Sequence, residues 1–243
     1  MYLATLLRYV KIAGEDVWAD RYYIVEAHRR MAQQLGVGLS AIMNDHDLDG
    51  ICSHCSALLV PGSATNIDPS YYGQKPLDPP EPADEYALDS KVIRWFFEHE
   101  KPILGVCGGL QAINVFLGGT LKLVPDVKDV HERMVPTVRQ NGEIVDYPMH
   151  EIQIEKDSFV YDVFGAERAS VCSYHYWCID KLAPGLRAVA WSDDGIIEAV
   201  EWKERSIFAT QWHPELSFDL GDPVEHKFFE NFLRCCREQG KQG

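Results

Sequence analysis

The sequence predicts an α/β fold: a single domain with a mainly parallel central sheet flanked by helices and extended by antiparallel strands. Three observations carry that prediction. Short apolar runs alternate with helical patterns through the first half of the chain, the texture of a parallel sheet built by crossovers. From residue 149 onward, strand-like runs follow one another across tight turns, as antiparallel strands do. The 243 residues are 46% hydrophobic, enough to fill a core without a metal or disulfide staple, so residues 1–243 read as one domain.

Taken in order, ATLLRYV near the start reads as the first strand. Residues 21–35, RYYIVEAHRRMAQQL, carry apolar side chains at helical spacing and stop at Gly36. GLSAIM follows as a strand. DGICSHC reads as a helical turn leading into ALLV at 57–60, a continuous apolar run suited to a strand buried on both faces. Residues 61–82 form a long loop rich in Pro and Gly, and structureless loops of that length are usually functional. Residues 83–100 predict a helix with acidic residues in its first half. PILGV (strand), CGGLQAINVFLGG (turn and helix) and TLKLV (strand) come next. In the second half MHEIQIE, RASVCSY, LRAVAW, GIIEAVEW and SIFATQW are strand-like, with turns at Asp193-Asp194-Gly195 and Lys203-Glu204-Arg205. PVEHKFFENFLRCCRE closes as a helix opened by Pro223.

Charge and cysteines narrow the function. A net charge of −14 repels phosphate backbones and anionic lipid, which argues against nucleic-acid and membrane partners. No apolar run approaches the ~20 residues of a membrane span, and the start shows neither a basic leader nor a small-residue cleavage site. The seven cysteines are an odd number, which suits a reducing compartment, and the expected location is the cytoplasm. Cys52-Ser53-His54-Cys55 has a C-x-x-C spacing, with His46 nearby. It lacks a second ligand pair at a defined distance, so the segment reads as core and no metal or cofactor is expected. Cys235 and Cys236, on the last helix, read as surface and core neighbours.

The chemistry concentrates at PILGVCGGLQ. An apolar strand ends in Gly105-Val106-Cys107-Gly108-Gly109 and a helix starts at once, the nucleophile-elbow pattern with Cys as nucleophile. A strand turning straight into a helix strains the central residue, and side chains two positions before and after would collide there. The elbow sets the thiol at the positive end of a helix dipole, which favours thiolate, the nucleophilic form. The Gly108 N–H then points where an oxyanion would form. The plainer alternative is a buried cysteine in a glycine-rich turn, and a base is needed to decide between them.

That base is read near the other end, in FATQWHPE. A strand delivers His213. Pro214 fixes its own φ and disfavours helix at His213, so an extended segment is expected, with Glu215 on the same side as His213. The pair matches the base and orienter that activate a cysteine.

With these motifs in place, Gly105-Val-Cys-Gly-Gly-Leu-Gln111 and Gln211-Trp-His-Pro-Glu215 resemble the class I glutamine amidotransferases. LVPGSATNIDPSYYG (from Leu59), LGGTL (from Leu117), APGLR and DGIIEAVE resemble the γ-glutamyl-γ-aminobutyrate hydrolase branch, classed with the C26 peptidases, over roughly residues 20 to 235. The resemblance implies a flavodoxin-like sheet and a Cys107, His213, Glu215 triad acting on a small γ-glutamyl substrate through a thioester. It further implies an oxyanion hole at Gly62, Ser63 and Gly108, and a glutamyl pocket that includes Gln111, Ser173, Tyr174 and His175. The chain departs from the branch in two places. Gly108 stands where the branch usually carries Arg, and His175-Tyr176-Trp177 replaces a His-His-Gln-like run, so Trp177 favours a bulkier or more apolar amine. Tyr71 and Tyr72 are further candidates for the amine side.

The leading expectation is a free-standing hydrolase of γ-glutamyl amides. The alternative is a glutaminase subunit that passes ammonia to a separate synthase, and a third reading is a non-catalytic binding descendant. A homodimer is left open; a synthase partner belongs only to the alternative.

Overall fold

Nine strands share one mixed sheet. Its parallel half holds β1 (Tyr2–Leu6), β4 (Gly38–Ile42), β5 (Ala57–Val60), β6 (Ile103–Val106) and β15 (Ile207–Thr210), in the spatial order β4-β1-β5-β6-β15. Its antiparallel half continues outward through β14 (Ile197–Trp202), β13 (Arg187–Ser192), β10 (Met149–Ile154) and β11 (Arg168–Cys172). The predicted parallel sheet with antiparallel additions is therefore the observed fold. This computed structural model describes residues 1–10, 21–124, 131, 137–140 and 144–239.

Helices cover both faces. On one side lie α1 (Glu26–Gln34), α5 (Phe159–Phe164), α6 (Pro214–Asp219) and α7 (Pro223–Gln239); on the other lie α2 (Leu48–Cys52), α3 (Tyr86–Glu98) and α4 (Gly108–Phe116). Strand β5 shows how the sheet feeds two cores. Ala57 and Leu59 pack into the first and Leu58 and Val60 into the second, all fully buried, as a period-2 strand between two helical layers requires. The α7 face contributes Phe228, Phe229 and Phe232 against Phe159 and Phe208.

Several elements differ from the sequence reading. The first apolar run is split into β1 and β2 (Arg8–Val10), and RYY is not helical: it forms β3 (Arg21–Tyr23), which pairs antiparallel with β2. That pairing delays the helix to Glu26. The TLKLV strand, β7 (Thr120–Leu123), stays outside the main sheet and pairs with β12 (Trp177–Lys181), a strand absent from the prediction. A small ribbon of β8 (Thr137–Val138) and β9 (Ile144–Asp146), together with α5 and α6, also went unpredicted. The 61–82 loop holds one short 3-10 turn, Pro69–Tyr72, where the Asp68 side chain accepts from Ser70 N. Cys52 and Cys55 are buried between α2 and β5, and burial pushes the Cys52 thiol up to about 11. Lys101 Nζ donates to the carbonyls of Cys52, Ser53 and Cys55, so the C-x-x-C segment is core structure.

Candidate functional site

Cys107 sits at the joint between β6 and α4 with φ +50° and ψ −105°, a strained conformation for a residue with a side chain. The flanking glycines explain how the turn closes. A methyl on Gly109 would lie 2.1 Å from the Val60 carbonyl oxygen, and one on Gly105 would lie 2.8 Å from the Gly109 carbonyl carbon. The Cys107 N–H donates to Thr210 O at 2.7 Å, tying the elbow to the end of β15. The thiol donates weakly to Tyr174 O at 3.5 Å and receives the Gln211 Nε2 amide at 3.6 Å.

His213 is fixed by its N–H, which donates to Cys172 O at 2.8 Å. Here the extended H-P-E segment expected from sequence is corrected. Pro214 opens helix α6 as its first residue, and Glu215 lies in that helix's first turn. Proline suits this position because its missing N–H would have no helical acceptor there. His213 keeps non-helical angles (φ −108°, ψ 79°) as residues before proline do. The pairing survives: His213 Nδ1 is 2.8 Å from Glu215 Oε1. A carboxylate only accepts, so Nδ1 carries the proton and Nε2 is the working nitrogen. A methyl placed on Gly62 would be 3.2 Å from His213 Cε1 and 3.5 Å from the Cys107 Cβ, so His213 and Cys107 converge on the same glycine.

Electrostatics pair His213 with Glu215. Burial pushes the His213 pKa down, but the charges of Glu215 and then Cys107 raise it well above its usual value. Burial likewise pushes Glu215 up, and His213 and then His28 bring it below the ordinary carboxylate range. His28, on α1 and absent from the sequence reading, places its Nε2 4.0 Å from Glu215 Oε2 in the buried layer behind the site.

The Gly62-Ser63 turn is supported by a residue that the motifs do not reveal. Arg8, 1% exposed, donates from Nε to Gly62 O (3.2 Å) and from Nη2 to Pro61 O (2.9 Å), while Nη1 meets Asp89 at 2.9 Å. Glu85 accepts from the Ser63 hydroxyl, from Thr65 Oγ1 and from Tyr9 N. The Gly62-Ser63 turn is thus gripped from below by two acid-paired networks. A methyl on Gly108 would lie 3.0 Å from Ser63 N, and neither of these two amides donates to any described residue. Two free N–H groups side by side at the nucleophile are what an oxyanion hole requires. An arginine inside an apolar strand was the only trace of this support in the sequence.

A cavity of about 230 Å³ opens on Cys107, lined by Ser63–Asn66, Gly108, Gln111 and Tyr174–Trp177. It takes in three of the four expected pocket residues. Gln111 lines it, but both protons of its amide are committed, to Trp177 O (2.8 Å) and Gln211 Oε1 (3.2 Å), leaving Oε1 for a ligand. Tyr174 lines it with a hydroxyl 3.0 Å from that of Tyr176. His175 lines it, but Nδ1 is bonded to Trp177 O and Nε2 faces the protein interior. Ser173 is not part of the lining; it is buried below, where the chain leaves β11. Of the amine-side candidates only Trp177 reaches the cavity. Tyr71 is spent on Asp84, and Tyr72 packs into the second core. Gln211, which contacts the thiol directly, was missed because it reads as an ordinary strand-end polar residue.

Residues 8–215 match the family model for peptidase C26. The chain belongs to the peptidase C26 family. Relatives within reach include the glutamine amidotransferase-like protein YvdE of Lactococcus lactis, 35% identical over 173 residues that cover 69% of each protein. Gamma-glutamyl-gamma-aminobutyrate hydrolase PuuD of Escherichia coli is 27% identical over 194 residues, 78% of this chain and 75% of PuuD. Among solved structures, a glutamine amidotransferase of Thermotoga maritima aligns with a TM-score of 0.62 at 12% identity over 97% of both chains, which establishes the shared fold. The C26 chain thus has a glutamine amidotransferase-like fold. Among its described residues, no helix is long and apolar enough to cross a membrane.

Proposed function

We propose that this peptidase C26 protein hydrolyses γ-glutamyl amides, with Cys107 as nucleophile, His213 as acid and base, and Glu215 as orienter. The observation that carries this reading is a strained elbow cysteine, open to a cavity, and a carboxylate-held histidine packed against the same glycine, Gly62. The Cys107 thiol passes its proton to His213 Nε2 as its sulfur attacks the γ-carbonyl carbon, and the oxygen turned anionic is held by the amides of Ser63 and Gly108. His213 Nε2–H gives its proton to the leaving amine as the C–N bond breaks, leaving a γ-glutamyl thioester. The neutral imidazole then takes a proton from water, and the hydroxide cleaves the thioester to glutamate and free thiol. Trp177 at the cavity wall supports an amine with apolar surface rather than ammonia alone.

The test is glutamate release from a panel of γ-glutamyl amines plus glutamine, with Cys107→Ala as control. Turnover of a panel member that disappears in the variant bears the proposal out. Silence across the panel, with Cys107 still labelled by acivicin, replaces it with a glutaminase subunit that needs a synthase. Failure to label Cys107 at all leaves a non-catalytic binding protein.

A further inference from the structure

Three histidines from three separate stretches of chain converge on one buried glutamate, away from the nucleophile. Glu198, on β14, is 0% exposed. His131, His150 on β10, and His175 beside β12 are 0%, 8% and 3% exposed. His131 Nδ1, His150 Nε2 and His175 Nε2 lie 3.6, 3.7 and 3.4 Å from the same atom, Glu198 Oε1.

The far nitrogens of the rings define the tautomers. His131 Nε2 is 3.0 Å from Asp194 Oδ2, His150 Nδ1 is 3.2 Å from Glu151 O, and His175 Nδ1 is 3.0 Å from Trp177 O. Each of those oxygens can only accept, so each far nitrogen carries the proton. With neutral rings and an ionised Glu198, the near nitrogens hold lone pairs, and all three lie beside a carboxylate oxygen that also only accepts. None of these near nitrogens, and neither Glu198 oxygen, has a hydrogen-bond partner among the described residues. Such an arrangement of acceptors repels itself unless a cation stands between them.

The spacing says which kind. Separations of 3.4–3.7 Å are too long for hydrogen bonds. They are close to the ~3.3 Å that separates neighbouring donors of an ion bound at ~2.0–2.1 Å. The contacts at the far nitrogens, a carboxylate and two backbone carbonyls, are the outer partners that fix metal-bound imidazoles. We propose that His131 Nδ1, His150 Nε2 and Glu198 Oε1, whose donor atoms all lie within 4.8 Å of one another, hold a divalent transition-metal ion of the zinc class, with His175 Nε2 turning in from beside Glu198 as the fourth ligand when the ion binds. Three imidazoles and one carboxylate suit zinc rather than calcium or magnesium, which prefer all-oxygen shells.

The role that follows is structural support of the cavity. With all four positions filled by protein, the ion has no place for a reacting water. It ties His131 and β10 to β14 and to the Tyr174–Trp177 wall of the cavity. The Glu198 carbonyl also accepts from Gln211 N at 2.7 Å, and Gln211 is the residue whose amide reaches the thiol. This site stands on its own geometry and holds whether or not the substrate is a γ-glutamyl amide.

The experiment uses the full chain, stripped with chelator and titrated with zinc by calorimetry, with cobalt(II) as the spectroscopic probe. The expected result is about one equivalent bound with Kd below ~1 μM, a rise in Tm, and the intense visible bands of tetrahedral cobalt. His150→Ala and Glu198→Gln should each weaken binding by at least ~100-fold and Asp194→Asn by ~10-fold, while Cys52→Ser keeps the full equivalent. X-ray absorption of the zinc-loaded wild type needs no variant and should show only N/O neighbours, with imidazole scattering. No stoichiometric uptake, a sulfur-containing shell, or uptake indifferent to His150→Ala and Glu198→Gln in folded protein overturns the site.

Discussion

Glu215 holds His213 from the first turn of helix α6, its Oε1 2.8 Å from His213 Nδ1, rather than from the same face of an extended strand. The helix makes the grip rigid, because Glu215 is buried and cannot swing away. It also leaves His213 Nε2 without a hydrogen-bond partner among the described residues, on a ring that packs against Gly62 beside Cys107.

Replacing that carboxylate changes both tautomer and charge. The folded His213 pKa is raised, so the imidazolium contributes stability that is full below the ordinary ~6.5 and lost as pH rises through the raised value. Glu215→Gln removes the strongest raising influence. Turnover should fall ~10³–10⁴-fold, and the His213 titration followed by NMR should move at least ~1 unit toward acid. A titration that stays in place would show that Glu215 does not set the state of the base.

The elbow predicts two substitutions of opposite sign. Gly109→Ala drives a methyl into backbone, the Val60 carbonyl, and should cost ~3 kcal/mol or more. Cys107→Gly releases the positive-φ strain and should be ~1–2 kcal/mol more stable than Cys107→Ala. Denaturant midpoints of the three variants decide it; equal stability of the glycine and alanine variants would mean that the elbow carries no strain.

Arg8 supports the oxyanion turn through buried contacts. Arg8→Met leaves Asp89 buried without its guanidinium and frees the Pro61 and Gly62 carbonyls. The expected loss is ~3–5 kcal/mol. In Arg8→Met/Asp89→Asn, where no charge is stranded, stability should partly return while kcat stays low. Full recovery of kcat in the double variant would rule out a positioning role for Arg8.

Glu225 lies in α7, buried, with Oε1 3.2 Å from Trp212 Nε1. Burial, followed by the charge of Asp222, pushes its carboxyl up to about 8. A carboxyl raised on folding favours the native state below its unfolded pKa and loses that contribution as pH climbs through 8. Glu225→Gln should therefore raise Tm at pH ~9 by the equivalent of ~1–3 kcal/mol and change it little at pH ~5. A gain of the same size at both values would place the effect in packing rather than protonation.

Much of this protein was legible before the fold was seen, and the legible parts share a cause. The strands ALLV and ILGV are runs whose burial on both faces leaves no polar position, and the elbow is a local turn whose glycines are required by contacts within a few residues. The H-P-E motif announced its pair correctly while its conformation was misread, because proline both discourages helix before itself and starts one.

What lay beyond the sequence was long-range pairing. Strand β12 exists because β7 lies beside it, and RYY is a strand because β2 is its neighbour; neither segment has a local pattern strong enough to decide. Arg8 under Gly62, Gln211 on the thiol, and His131, His150 and His175 around Glu198 are polar residues scattered along the chain. The sequence by itself determined the sheet class, the elbow at Cys107 and the pairing of His213 with Glu215, because strand periodicity and tight-turn sterics act between near neighbours. Only the tertiary structure decided which buried polar groups meet, because a charge or imidazole removed from water is compensated by whatever the fold brings within a few ångströms, at any distance along the chain.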